Sequence, residues 1–429
     1  MSTIFALATA PGKAGVSVIR ISGPGAFLAC ERLTGWHPDA REFRLLALRD
    51  PDGSIVDRSL VLAFLPGQSF TGEACVEFQV HGSPAICARV LSLLGEIEGL
   101  RPAEAGEFTR RALENDKLDL VQVEGLGDLI EAETELQRRQ AMSVFEGSVA
   151  DKLANWRQKL LRSIALIEAT IDFADEDVPV DVEPEVLADL GVVLSEMAAE
   201  LAGVPIAERV RDGFEVAIVG QPNAGKSTLL NRLAGRDLAI ISEIAGTTRD
   251  IIEAKLDLDG LPVTFLDTAG MRDTLDQIEA IGVDRAISRA NGADLRVFLQ
   301  VQDNESWPVP VLDGDLILQA KSDQEHSGQL GVSGRTGVGV AEMLEYVRRV
   351  LLSRVSQVET MTRQRHANCL KDALLFLRQA RDSVSSGSAG YEIVAEDLRS
   401  ALRVLEQILG HVGVEDILGE IFSSFCIGK

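Results

Sequence analysis

The stretch GQPNAGKST, Gly220 to Thr228, carries the strongest chemical signal in the chain. It follows the apolar run FEVAIV and precedes the helical pattern LLNRLAG, so it fits G-x-x-x-x-G-K-[ST] in the strand–loop–helix setting this motif requires. Glycines let backbone N–H groups turn inward on phosphates, and the N-terminus of the following helix adds a favourable dipole. Asn223, Ala224, Gly225 and Thr228 then belong to a phosphate-binding loop, Lys226 reaches toward β- and γ-phosphates, and the Ser227 hydroxyl is placed to ligate Mg²⁺.

Further motifs follow in order. GTTRD, Gly246 to Asp250, offers Thr248 as a second Mg²⁺ ligand. DTAG ends the strand-like VTFL, with Asp267 expected near the metal, Gly270 near the γ-phosphate, and Thr268 and Ala269 between them. QAKSD ends the run DLILQA, where Lys321 and Asp323 stand as the base-reading pair. A carboxylate at Asp323 accepts from the guanine N1–H and exocyclic amine, which adenine cannot reproduce, so the expected nucleotide is GTP. VSGRTG, with Ser333, Gly334 and Arg335, resembles the last base-contacting loop, and the set resembles the Ras-like translation-factor class of GTPases.

Two positions depart from that class. Ala320 stands where the base-reading motif carries Asn, whose amide braces the loop and touches the base. Met271 follows DTAG where Ras-type proteins carry a water-positioning Gln, and a thioether cannot orient water. Glu279, in the acidic segment MRDTLDQIEAIG, is the best local substitute, although acids in such a loop are commonly just solvated. No arginine finger is identifiable. Asn223 could supply an oxygen to a monovalent cation doing similar charge work.

These loops need elements to hold them, and the chain divides by texture into such elements. Its 429 residues exceed one ordinary core, so about two to four domains are expected. Residues 1–118 mix short apolar runs (SLVLAFL, VEFQV) with turn signals and read as an α+β domain. Residues 119–210 turn helical, with Leu153, Trp156, Leu160, Ile164, Ile167 and Ile171 on one stripe and Leu187, Leu190, Leu194, Met197 and Leu201 on another; both read as helix core. Residues 211–356 alternate strand and helix, as in a mostly parallel sheet with crossover helices. Residues 357–429 are helical again, with Leu398, Leu402, Leu405 and Leu409 on one face, so the flanking helical segments are expected to form one discontinuous domain around an inserted α/β unit.

Composition narrows the class further. A net charge of −24 argues against a general nucleic-acid coat or an anionic-membrane binder, though not against a local basic patch for one RNA. No run reaches the ~18 apolar residues of a membrane span, and no basic segment precedes the first apolar run as in a signal peptide. Five scattered cysteines without C-x-x-C fit a reducing cytoplasm and offer no structural zinc site.

TIFALATAPGKAGVSVIRISGPGA, SFTGEACVEFQVHGSP, GEFTRRALENDKLDLVQVEGLGDLIEA and the terminal FCIGK closely resemble the MnmE (TrmE) tRNA-modification GTPases, over essentially the whole chain. The resemblance implies an N-terminal tetrahydrofolate-binding and dimerisation domain, a discontinuous helical domain and an inserted G domain. It implies work with a flavin- and NADH-using partner, MnmG, in a heterotetramer, so that FAD and NADH enter only through that partner. Together they would place an aminomethyl or carboxymethylaminomethyl group on C5 of the wobble uridine of tRNA, the carbon coming from methylene- or formyl-tetrahydrofolate. It also implies a cytoplasmic homodimer whose G domains pair in a K⁺-dependent way, with Asn223, Ser242, Ile244 and Thr247 around K⁺, Glu279 orienting water and Arg272 supporting the interface. Arg20, Glu77, Lys117 and Lys429 match its folate positions: cations suit a glutamate tail, and a carboxylate suits a pterin edge.

Two other functions fit parts of the pattern: a switch GTPase in ribosome assembly, and a stand-alone folate-dependent one-carbon transferase. The tail raises the separate possibility of a lipidation box at Cys426, but Gly428 and Lys429 occupy positions that prenylation needs filled otherwise, and upstream polybasic residues are absent. In the resembling family this tail returns to the folate region, so Cys426 is a candidate nucleophile or acid there, against the plain alternative of a packed thiol. Glu279→Ala should leave GTP affinity near that of the parent while lowering the hydrolysis rate at least ~100-fold; a parallel loss of binding would make Glu279 structural.

Overall fold

A computed structural model describes residues 2–172, 182–236, 238–240, 253–268, 287–302, 306–323, 330–355, 361–386, 390–410, 422, 425 and 428. The chain divides into two compact units, Met1–Gly127 with Leu405–Lys429, and Asp128–Val404.

The first unit is built on β1 (Thr3–Leu7), β2 (Ala14–Ser22), α1 (Ala26–Thr34), β3 (Glu42–Arg49), β4 (Ile55–Phe64), β5 (Cys75–Gly82), α2 (Pro84–Gly95), β6 (Leu100–Pro102) and α3 (Glu107–Glu114). The strands form one sheet in the order β3-β4-β5-β2-β1-β6, antiparallel except for the parallel β1–β6 pair. Strand side chains alternate between faces. Phe5, Ile19, Ile21, Val61, Val76 and Phe78 accordingly fall on one side and join Cys30 and Leu33 of α1 and Val90 and Leu94 of α2 in a core. On the opposite face Ile4 and Ala6 meet Ala103 and Phe108 in a smaller cluster, and the adjoining positions of β2 and β5 are charged. The α+β reading of this segment matches what is observed.

The chain passes between units within α4 (Leu120–Glu131), and α5 (Glu135–Phe145), α6 (Ser148–Asp172) and α7 (Glu183–Asp212) follow. Leu153, Trp156, Leu160, Ile164 and Ile167 of the α6 stripe are buried as expected. In α7 the buried set is Val186, Leu190, Val193, Leu194, Met197, Val204, Ala207 and Val210, whereas Leu187 and Leu201 are only half-buried. Three partner helices explain the shift: α7 packs on α5, α6 and α10 (Gln364–Ser386), so its apolar arc is broader than one leucine stripe. By length and composition α7 could cross a membrane. Yet Glu196 on it accepts from the Trp156 indole N–H at 2.8 Å, and Glu200 pairs with Lys152, as in a helix packed within protein.

The second sheet comprises β7 (Phe214–Gly220), β8 (Glu253–Leu258), β9 (Leu261–Asp267), β10 (Leu295–Gln300), β11 (Leu316–Ala320) and β12 (Gly331–Val332), with α8 (Lys226–Ala234) and α9 (Val340–Arg354) packed on it. Its order is β12-β11-β10-β7-β9-β8, parallel except for the edge strand β8. Central strands covered on both faces read as continuous apolar runs, which is why FEVAIVG and LRVFLQ lack alternation. β9 and β10 flank β7 on opposite sides, so the loop leaving β7 opens at the crevice where ligands bind in such sheets.

Where the chain enters and leaves this α/β part, two segments are clasped. The Arg211 guanidinium at the end of α7 donates to the carbonyl of Thr362, just before α10. The Gln137 side chain donates to the carbonyl of Arg211 at 2.8 Å while closing a capping box with Thr134 at the start of α5. The Leu136 N–H meets the carbonyl of Gly260 in the β8–β9 turn at 3.3 Å. The remaining helix, α11 (Tyr391–Leu409), buries Leu398, Leu402 and Leu405.

One ion pair sits within the sheet. Arg296 on β10 binds Asp315, which precedes β11, at 2.8 Å, with side-chain exposures of 5% and 1%. Asp315 also accepts from the N–H groups of Arg296 and Leu312 at 2.9 and 2.7 Å. Removing one partner of such a pair strands a buried charge. Arg296→Met should therefore destabilise the sheet by about 3–5 kcal/mol, measured by urea unfolding followed through Trp307, which packs on Phe298 of β10 at 5.0 Å.

Candidate nucleotide and ligand sites

The phosphate loop takes its form from a few residues between β7 and α8. Gly225 adopts φ 97° directly before α8, a left-handed conformation that an L side chain resists, and Asn223 adopts φ 64°. Ala224 is buried in the sheet's core and offers the site only its backbone. Lys226 is 5% exposed, and its ammonium donates to the carbonyls of Gly220 and Gln221 at 2.7 and 3.0 Å, so the cation is held over the loop's centre. Ser227 Oγ donates to Asp267 Oδ2 at 2.5 Å, which brings the two expected metal-side residues together. A hydroxyl and a carboxylate are the hard oxygen donors that Mg²⁺ takes beside phosphate. Thr268 is turned the other way, its hydroxyl donating to the carbonyl of Ile218 at 2.8 Å. Asn223 and Thr228 are exposed at the loop's mouth.

The base-reading positions form a second cluster at the end of β11. Ala320 is 6% exposed and packs in the core, Lys321 is exposed with φ 56°, and Asp323 is half-buried. Ser333 is spent inside its own turn: its N–H donates to the carbonyl of Val338 at 2.9 Å and its Oγ accepts from the Thr336 N–H at 3.2 Å. Gly334 lies so close to α8 that a Cβ there would stand 2.5 Å from the backbone N of Leu229, which joins this turn to the phosphate-binding helix. Arg335 is exposed. Ser242, Ile244, Thr247, Thr248, Ala269, Gly270, Arg272, Glu279, Cys426 and Lys429 lie outside the described residues.

The first unit holds a separate charged site. Arg20 on β2 and Glu77 on β5 are direct cross-strand partners, and the guanidinium Nε donates to Glu77 Oε1 at 2.8 Å. The Arg20 guanidinium lies 5.5 Å from the ring centroid of Phe70 and 5.6 Å from that of Phe108, within cation–π range of both. Lys117 donates to the carbonyl of Gly67 at 2.9 Å and Asn115 to that of Thr71 at 2.7 Å, fastening the end of α3 to the loop that carries Phe70. A partly open cation and anion beside two aromatic faces can take a planar heterocycle with ring donors together with an anionic group.

Behind this pair lies a network that sequence reasoning did not find. Arg111 bridges Glu73 at 2.9 Å and Glu107 at 3.0 Å. Ser22 donates to Glu73 at 2.7 Å, and Arg101 binds Glu107 at 2.5 Å. Phe70 and Phe108 were equally missed; the only signal is the Phe-Thr pair repeated in SFTGEA and GEFTRR, and nothing in it announces a contact with Arg20. Cys75, the first residue of β5, has its thiol pushed up to about 12 by burial, which removes it as a nucleophile.

Glu107 shows how firmly the network is charged. Burial opposes its ionisation, but hydrogen bonds from Arg101, the Glu104 N–H and Arg111 outweigh it and hold the carboxyl at about 2 against an ordinary 4.5. A depressed carboxyl stabilises the fold above its unfolded-state value and loses that contribution as pH falls through the folded one. Glu107→Gln should thus lower stability at pH 7 and flatten its decline between about pH 4.5 and 2, read by amide exchange of β1 and β6.

Family models match two parts of the chain: one described as the MnmE helical domain over residues 120–426, and one described as GTP-binding protein TrmE N-terminus over residues 3–117. The chain is 56% identical over 429 residues to the tRNA modification GTPase MnmE of Roseobacter denitrificans, with 100% of both chains covered. It is 55% identical over 430 residues to the protein of the same name from Dinoroseobacter shibae, again with 100% of both covered. Among solved structures, Era of Aquifex aeolicus bound to GDP and AlF₄⁻ is 26% identical over 32% of this chain and 56% of that one, with a TM-score of 0.23, too low to bear on the fold.

Proposed function

The chain belongs to the MnmE family of tRNA modification GTPases, and we propose that it hydrolyses GTP to drive addition of an aminomethyl or carboxymethylaminomethyl group to C5 of a tRNA wobble uridine. The observation that carries the GTPase part is the convergence of Lys226, Ser227 and Asp267 at the mouth of the β7–α8 loop. There Lys226 and the inward N–H groups neutralise the phosphates, Ser227 and Asp267 hold Mg²⁺, and Asp323 reads the base. Mg²⁺ held there would supply charge neutralisation for the phosphates. Water attacks the γ-phosphorus and the bond to the bridging oxygen breaks, giving GDP and phosphate. Thr248 completes the metal site, Glu279 orients that water, and Asn223, Ser242, Ile244 and Thr247 take K⁺ when two G domains pair, with Arg272 at their interface.

The charged site of the first unit binds the tetrahydrofolate carrier, with Glu77 on the pterin's donor edge and Arg20, Lys117 and Lys429 toward its anionic tail. The supporting observation is the Arg20–Glu77 pair flanked by Phe70 and Phe108. Cys426 acts near the carried carbon. Phe43 and Leu45, each 71% exposed on the edge strand β3, give apolar surface for a homodimer. The flavoprotein MnmG supplies FAD and NADH chemistry, and the work takes place in the cytoplasm.

Reconstitution tests this as a whole. The chain, the flavoprotein, tRNA, GTP, Mg²⁺, K⁺, NADH and methylene-tetrahydrofolate, with ammonium or glycine, should yield the modified uridine by nucleoside mass spectrometry. Omitting folate or flavoprotein should abolish product while GTP hydrolysis continues, and replacing K⁺ by Na⁺ should slow hydrolysis. Product formed without the flavoprotein would mean a stand-alone transferase.

A further inference from the structure

Guanine shows two chemically opposite edges to a protein. N1–H and the exocyclic amine donate, whereas N7 and O6 accept. A carboxylate reads only the donor edge; reading N7 needs an N–H or O–H donor beside it. Resting on the reading of this loop as a guanine site, we propose that this protein recognises guanine through its donor edge and O6 alone and leaves N7 unread, because Ala320 replaces the one side-chain amide that would serve it.

Three features of the 320–334 region carry this. Ala320, last residue of β11, is 6% exposed and packs in the sheet's core, so a methyl group occupies the position and brings no donor. Ser322 is the nearest hydroxyl in sequence, but it faces β12: its N–H donates to the carbonyl of Val332 at 3.3 Å, and its Oγ lies 3.3 Å from where a Cβ on Gly331 would stand. That Oγ is buried without a hydrogen-bond partner among the described residues, so it is turned into protein and away from a ligand. The adjoining turn commits Ser333, Thr336 and Gly337 to internal hydrogen bonds, and among the described residues the N–H groups of Gly334 and Arg335 have no acceptor and remain for O6.

The brace that an asparagine would give is supplied by backbone instead. Gln319 N–H to Leu330 carbonyl at 3.0 Å and Ser322 N–H to Val332 carbonyl at 3.3 Å tie the end of β11 to β12. The end of β11 is therefore held in place without the asparagine, while one base contact is lost. Affinity for guanine nucleotides then rests more heavily on Asp323 than in a site with both groups.

The test replaces N7 by carbon. In equilibrium competition against fluorescent mant-GDP, GDP and 7-deaza-GDP should bind the parent protein within about twofold of each other. Ala320→Asn should bind GDP about five- to tenfold more tightly than 7-deaza-GDP, the worth of one added hydrogen bond. A parent protein that binds 7-deaza-GDP fivefold or more weakly than GDP overturns the inference, whether or not the Asn variant folds. Asp323→Asn with XDP is the separate control: its preference should switch from GDP to XDP. Failure of that switch would remove the guanine reading itself, a result distinguishable from N7 sensitivity in the parent.

Discussion

The parallel pairing of β7 with β9 is the constraint on which the nucleotide site depends. Its register sets Ile218 opposite Asp267, so the carboxylate leaves the sheet level with the start of the phosphate loop. Ser227, one residue into α8, then meets it without strain. Because strand side chains alternate, a slip of one residue would turn Asp267 to the other face, away from Ser227. The apolar faces of Val216, Ile218, Val263 and Phe265 exclude that slip, so the hydrophobic pattern of two strands sets Asp267 beside Ser227, 40 residues away in sequence.

The two units bury charge in different ways. In the second sheet one pair, Arg296 with Asp315, is closed off from solvent, and it holds β10 to the segment before β11. In the first, Arg101, Glu107, Arg111 and Glu73 form a chain of alternating sign that ends at the Ser22 hydroxyl on β2, the strand that also carries Arg20. Such a chain leaves each carboxylate bonded on more than one side, which keeps the 69–73 loop and α3 in fixed relation. Phe70 and Phe108, carried by that loop and that helix, are thereby held against Arg20.

Much of this was legible in the sequence, for stated reasons. The phosphate loop is local: a strand end, two left-handed residues and a helix start follow one another directly along the chain, so spacing alone identifies it. The strands carrying it were equally plain as apolar runs. The edge strand β8, EAKLDL, gave no run to notice, because only its alternate residues Ala254, Leu256 and Leu258 are buried. The α7 stripe was read as leucines when valines do as much of the packing, since periodicity cannot say how many helices will surround an element. Arg20 and Lys117 carry no local sign that separates them from ordinary surface charge, and only the family resemblance picks them out. The aromatic flanks of Arg20 come from elsewhere in the chain, and long-range juxtaposition of that kind leaves no local trace.

The clasp between Arg211 and Thr362 bears on how such a chain could have been assembled. An insertion is tolerated when its two ends lie side by side, because closing the host across the gap then costs little loop entropy and extra length adds only a logarithmic term. Here the host's own hydrogen bonds pin the exit and return points, with Gln137 holding the Arg211 carbonyl from a third segment. The intervening residues could lengthen, shorten or be exchanged without altering the helices on either side. In evolutionary terms the helical part is a socket, and the nucleotide-binding part is a module that a single pair of neighbouring splice points could have delivered.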